Sequence, residues 1–227
     1  MEAWQKLTRV LTHEIMNSVA PISSLAATAD QLIGKDLITD GSMPSSLRDV
    51  QEAVRIIERR SEALMHFVDA YRSFTRLPTP VFEMISAREL LNRVRGLLNT
   101  ELETKSITCE IHIDPEGLIL TADPELVEQV LINLLLNAAE AVEGRSGAQI
   151  VLRAQADERG VPMVQVCDNG DGIPLDLQDQ IFVPFFTTKE NGSGIGLSLS
   201  RQIMRLHGGT LSLQSEPGQG AMFTLRF

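Results

Sequence analysis

The chain has 227 residues, 43% of them hydrophobic, and a formal net charge of −10, which supports one large or two modest domains with real cores and argues against wholesale disorder. The acidic balance argues against nucleic acid as a partner, because phosphate backbones call for a Lys/Arg surface. Cys109 and Cys167 lie far apart with no CxxC spacing, which fits a reducing compartment and speaks against a disulfide framework or a zinc site.

From its first residues the chain reads as helix. EAWQKLTRVL has no entry loop, cap or signal-peptide pattern, as expected for a piece of a longer protein. Stepping by three or four residues gives Trp4, Leu7, Leu11, Ile15, Ser18, Ile22, Leu25, Ala29 and Leu32. The same stepping gives Leu47, Val50, Val54, Ile57, Ser61, Leu64, Val68, Tyr71 and Phe74. Both are near-heptad seams. Between them GKDLITDGSMP carries Gly34, Gly41 and Pro44 as breakers, and Pro44 and Ser45 suit the start of the second helix. The prediction is an antiparallel helical hairpin over residues 1–77. A lone hairpin buries one stripe per helix, so pairing with a second copy as a four-helix bundle is the economical solution, and a homodimer is expected. On the first helix, LTHEIMNSVAP sets His13 beside Glu14, with Asn17 one turn on. Taken alone, this is a polar patch on a helix surface.

RLPTPVF has two prolines that exclude continued helix, so residues 78–84 read as a linker. Helix and strand signals then alternate. SARELLNRVRGLLNTELETK is a helix with Ser86 and Glu89 in capping-box spacing. SITCEIHID alternates like a strand, and GLILTAD has the make-up of another. DPELVEQVLINLLLNAAEAVE is a helix with Asp123 as N-cap and Pro124 in the first turn. AQIVLRAQAD and VPMVQVCDNG are strands around a turn near ERG, and GGTLSLQSEPGQGAMFTLRF closes the chain as two strands joined at PGQG. Residues 85–227 are therefore expected to form an α+β domain, an antiparallel or mixed sheet with helices on one face. The longest apolar run, VLINLLLNAA, falls well short of the ~20 residues of a membrane-spanning helix. The chain reads as cytosolic, with no membrane contact of its own; a membrane anchor elsewhere in the full-length protein is compatible with this.

Four segments of the second domain carry candidate chemistry. In NLLLN, Asn133 and Asn137 share one helix face and Glu140 continues it, while the leucines point into a core. Two asparagines on an apolar helix need partners if buried. DNGDGIP follows a strand, with Asp168 placed to accept from an amine and Gly170 and Gly172 permitting close backbone approach to a ligand. In IFVPFFTTKENGSGIGLSLS, phenylalanines precede Lys189, and Gly192, Gly194 and Gly196 then open a helix whose N–H groups and dipole suit phosphate. This run is neither a P-loop nor a true GxGxxG. PGQGAMF reads alone as a hairpin turn.

Each signal is modest; their order and spacing resemble the GHKL ATP-binding fold of sensor histidine kinases, DNA gyrase and the MutL mismatch-repair ATPases over residues 85–227. With HEIMN upstream, the whole chain resembles the transmitter core of a bacterial sensor histidine kinase, and PFFTTK is similar to the nitrogen-regulation subgroup. The implied fold is the hairpin followed by an α/β sandwich. The implied activity is ATP-dependent autophosphorylation of a histidine, with transfer to an aspartate of a response regulator and a possible phosphatase activity on it. By the resemblance, Asn137 ligates a Mg²⁺ on the ATP phosphates, with Asn133 beside it. Asp168 binds the adenine amine, Gly170 and Gly172 let the backbone approach the base, and Gly192, Gly194 and Gly196 hinge a lid. Lys189 is the candidate γ-phosphate contact. The same resemblance makes His13 the phosphoacceptor, Glu14 its orienting or proton-accepting partner, and Asn17 the residue that positions a water for dephosphorylating the regulator.

Two departures stand out. Many relatives carry a proline five residues after the histidine; here that place is Ser18, and Pro21 follows three residues later. Glu140 stands where many relatives have a basic residue. The competing readings are a GHKL ATPase that clamps as gyrase and MutL do, and a nucleotide-binding signalling scaffold. Clamp ATPases carry a glutamate base four residues before the metal asparagine. Asn133 occupies that position and cannot take a proton at neutral pH.

Overall fold

The computed structural model describes residues 21–22, 24–29, 50, 52–57, 59, 61, 64, 77–189 and 192–227. The chain divides into two compact units, Met1–Arg76 and Leu77–Phe227.

In the first unit, residues 21–22, 24–29 and 52–57 are helical, Pro21 among them. Ala29 is buried and Leu25 half-buried, as the first seam requires. The second seam has one exposed member among the described residues. Val54 is 51% exposed, and the neighbouring Ala53 is buried instead. Val50, Ile57, Ser61 and Leu64 of the same seam are half-buried. His13, Glu14 and Asn17 lie outside the described residues, as does the turn between the predicted helices.

The second unit is a mixed sheet with three long helices packed on its inner face. Its elements are β1 (Glu83–Ser86), α1 (Ala87–Thr104), β2 (Thr108–Asp114), β3 (Ile119–Ala122), α2 (Pro124–Ala141), β4 (Gln149–Ala156), β5 (Pro162–Asp168), the short α3 (Leu175–Gln178), a 3₁₀ turn (Gln180–Phe182), α4 (Gly196–Leu206), β6 (Thr210–Ser215) and β7 (Ala221–Arg226). The five-stranded sheet has the order β2-β4-β5-β7-β6, with β2 parallel to β4 and every other pair antiparallel. Register sets Ile111 beside Leu152, Leu152 beside Val166, Val166 beside Phe223 and Phe223 beside Leu213. This apolar row lies on the inner face, because side chains of a strand alternate sides. Leu90, Leu91 and Val94 of α1, Val127, Leu131, Leu134 and Leu135 of α2, and Ile203 and Met204 of α4 are buried at 2% exposure or less. Each such side chain contributes roughly 1.5–3 kcal/mol of transfer free energy.

The caps fall where the sequence places them. The Asp123 carboxylate accepts from the Leu126 N–H at 3.0 Å and so caps α2, with Pro124 in the first turn. The Ser86 hydroxyl accepts from the Glu89 N–H at 3.4 Å and caps α1. The stretch expected as a linker is not free along its length. The Val81 N–H donates to the other oxygen of Asp123 at 2.8 Å, and the Phe82 ring meets the His207 ring edge-on at 5.3 Å. Glu83 to Ser86 then pair antiparallel with Ala122 to Ile119. A four-residue strand in a two-stranded ribbon leaves too short an alternation to read from sequence.

Candidate nucleotide site

Burying Leu134, Leu135 and Ala138 of α2 turns Asn133, Asn137 and Glu140 out of the core and along one edge of a cleft of about 620 Å³. Such a volume suits a small-molecule ligand of nucleotide size. The DNGDGIP turn, Ile181, Phe186 to Lys189, Gly192 to Gly194, Gly196 and Leu197, and the start of β7 line the rest.

At one end lies Asp168, the last residue of β5. One of its oxygens accepts from the N–H of Gly170 at 2.9 Å and of Ala221 at 3.2 Å. Burial pushes its carboxyl above the usual range; those two N–H groups and the Arg145 charge oppose that rise without cancelling it. The turn needs its glycines. Gly172 has φ +71°, and a Cβ there would collide with the Glu216 carbonyl oxygen. A Cβ on Gly170 would sit 2.5 Å from the Ala141 carbonyl oxygen at the end of α2. Three residues that the motifs alone do not mark hold this turn in place. Asn169 accepts from the Gln149 N–H at 2.9 Å and donates to the Gly147 carbonyl at 2.8 Å. The Ser215 hydroxyl accepts from the Ile173 N–H at 2.8 Å and donates to the Gly220 carbonyl at 2.7 Å. Gln178 donates to the carbonyls of Ile173 and Ser215, both at 2.9 Å. The PGQG hairpin is thus part of the floor of the turn.

At the other end, Asn133 donates to the Ser200 hydroxyl of α4 at 3.1 Å, and a Cβ on Gly196 would collide with the Asn133 amide. α4 begins at Gly196 with no side-chain cap, so its first N–H groups are open to an anionic ligand. The Phe185 N–H donates to the Gly194 carbonyl at 2.8 Å, which closes the segment between them into a loop. Phe182 anchors that loop, edge-on to Phe223 at 6.5 Å and beneath the Arg201 guanidinium at 4.8 Å. Lys189 leaves the loop toward α2. Its ammonium donates to the Asn137 side-chain oxygen at 2.7 Å and pairs with the Glu140 carboxylate.

The structure therefore brings Asn133, Asn137, Asp168, Gly172, Lys189, Gly192, Gly194 and Gly196 to one cleft, with Gly170 packed behind its turn. Asn137 and Glu140 direct oxygens at one cationic head, and carboxamide and carboxylate oxygens are the donors that suit Mg²⁺. The residues present thus fit a divalent cation. Two other histidines have ordinary roles. His207 at the end of α4 accepts from the Asp123 N–H at 3.0 Å and is 2.8 Å from the Ile203 carbonyl, as for a satisfied helix-end histidine. His112 is on the exposed side of β2 beside Glu110.

The fold is shared with known proteins. The catalytic domain of histidine kinase ThkA is 33% identical, covers 65% of this chain and 95% of that domain, and superposes with a TM-score of 0.59. This chain belongs to the histidine kinase family. The family described as histidine kinase-, DNA gyrase B-, and HSP90-like ATPase matches residues 122–227, from the end of β3 to the C-terminus. The signal transduction histidine-protein kinase AtoS of Escherichia coli K12 is 33% identical over 77% of this chain, and the nitrogen regulation protein NtrY of Azorhizobium caulinodans is 30% identical over 98% of it. The chain spans 28% of the length of each of these two relatives. A histidine kinase ThkA solved in complex with the response regulator protein TrrA covers 98% of this chain at 27% identity, with a TM-score of 0.67. Among the described residues no helix is long and apolar enough to cross a membrane.

Proposed function

We propose that this chain is the transmitter core of a two-component sensor kinase, which transfers the γ-phosphate of ATP to His13 and from there to an aspartate of a response regulator. The observation that carries this reading is the cleft, in which a buried strand-end carboxylate, an uncapped helix N-terminus and an oxygen-rich helix edge are spaced along one nucleotide-sized cavity. Asp168 accepts from the exocyclic amine of adenine, and Gly172 lets the loop close on the base. The N–H groups at the start of α4 meet the phosphates. Asn137 holds Mg²⁺, which when bound neutralises charge developing on the phosphate oxygens. Lys189 supplies the cation at the γ-phosphate. The neutral His13 imidazole forms the new N–P bond as the bond to ADP breaks, and Glu14 orients the ring or takes its proton. Asn17 positions a water for removing phosphate from the regulator. The domain limits proposed are 1–77 for the phosphotransfer hairpin and 85–227 for the catalytic domain. The hairpin pairs with a second copy, and the core works in the cytoplasm whether or not the full-length protein is membrane-anchored.

Asn133 argues against a clamp ATPase. Its amide is tied to Ser200 and has no proton-accepting carboxylate, so hydrolysis by water is slow and transfer to His13 preferred. With ATP and Mg²⁺ the chain is expected to acquire acid-labile, base-stable phosphate. The His13→Gln and Asn137→Ala variants should lose this label; robust labelling of the first rejects the acceptor, and of the second the metal site.

A further inference from the structure

The Lys189 ammonium sits on Asn137 and Glu140 together. These two residues are three apart near the C-terminal end of α2, so their side chains leave the same face of the helix. That end carries the negative pole of the helix dipole, where an acidic side chain is disfavoured unless a cation stands beside it. α2 has no basic residue in its own last turn, yet it places Glu140 there. The compensating charge comes from Lys189, 52 residues further along the chain than Asn137. The pair is half-exposed, at 46% and 47%, and such a pair gives way readily to a competing cation.

We propose that Glu140 is the second protein side chain of the divalent-cation seat opened by Asn137, and that the Lys189 ammonium fills this seat until the ion arrives. The deduction rests on the nucleotide-site reading above. Mg²⁺ keeps much of its water and takes one or two carboxylates in its surroundings; Glu140 supplies the carboxylate, directly or through the ion's hydration shell. Lys189 and the ion exclude each other at one position. Loading the ion therefore frees the lysine for the γ-phosphate.

The test is Mn²⁺ binding, read by electron paramagnetic resonance on the full chain, with and without a non-hydrolysable ATP analogue. Glu140→Gln should weaken Mn²⁺ binding to the analogue complex roughly tenfold or more, the range for losing a partner that supports a metal site. Lys189→Ala should bind Mn²⁺ more tightly than wild type when no nucleotide is present. If Glu140 served only to tether Lys189, Glu140→Gln would open the seat and tighten Mn²⁺ binding or leave it unchanged; either result overturns the proposal. So does a Lys189→Ala protein with unaltered nucleotide-free affinity. Analogue binding by wild type, measured calorimetrically, separates the two levels. Its absence rejects the nucleotide site itself, whereas its presence with Mn²⁺ binding indifferent to Glu140 rejects only the role given to that residue. Glu140 is half-exposed, so its amide variant should fold; a wild-type melting temperature confirms it.

Discussion

Asp168 and Asp123 are both strand-end carboxylates, and their environments drive them apart. Burial raises the Asp168 carboxyl, with two backbone donors and the Arg145 charge in partial opposition. A carboxyl raised in the folded state favours folding only while protonated, and that contribution is lost as pH rises through its folded pKa. At neutral pH the ionised Asp168 therefore opposes folding, and Asp168→Asn is expected to raise the melting temperature. The same change removes the charged acceptor proposed for the adenine amine, worth about 1.5–3 kcal/mol, so ATP affinity should fall roughly 10- to 100-fold. A calorimetric titration and a thermal melt on one sample check both signs. Asp123 behaves oppositely. Burial pushes its carboxyl up, but the N–H groups of Val81, Leu126 and Glu125 outweigh this and hold it below the usual range. Its stabilisation is complete above the ordinary carboxylate pKa and disappears as pH falls through the depressed folded value. Asp123→Ala should cost about 1–2 kcal/mol at pH 7, the loss of an N-cap. Urea melts at falling pH should show the variant and wild type converging; a constant gap would contradict the assignment.

At the scale of elements, α2 shows what a local pattern can and cannot convey. Its limits are legible because Asp123 and Pro124 mark a start and the leucines repeat with the helical period. Asn133 and Asn137 stand out because they interrupt an apolar helix. Glu140 reads as a departure from relatives, and its ion pair with Lys189 could not be read, since it depends on the path of a loop. β1 was hidden for a related reason: its partner β3 is over thirty residues away, and four residues carry little alternation. Asn169, Ser215 and Gln178 were missed as well. Their work is to satisfy backbone groups in and around the DNGDGIP turn, and single polar residues in a turn or at an element's end carry no periodic mark.

For the molecule as a whole, the exposed Val54 bears on assembly. An apolar side chain left 51% exposed beside a buried Ala53 is what a helix with a second apolar face presents, and the proposed four-helix bundle would cover it. Light scattering should give about twice the 25.0 kDa chain mass, and Val54→Lys should shift the chain toward monomer while leaving the nucleotide site intact. A monomeric wild type at micromolar concentration would contradict the dimer.

The longer helices and strands of the second unit, their caps and the order of the nucleotide motifs were legible in the residues themselves, because periodicity, capping and turn chemistry act over a few neighbours. The meeting of Asn137, Glu140 and Lys189, the polar ties under the DNGDGIP turn and the capture of residues 81–86 came only with the folded chain. Each joins side chains or backbone groups from segments far apart in sequence, and which of them meet is set by packing and register, quantities no local window contains.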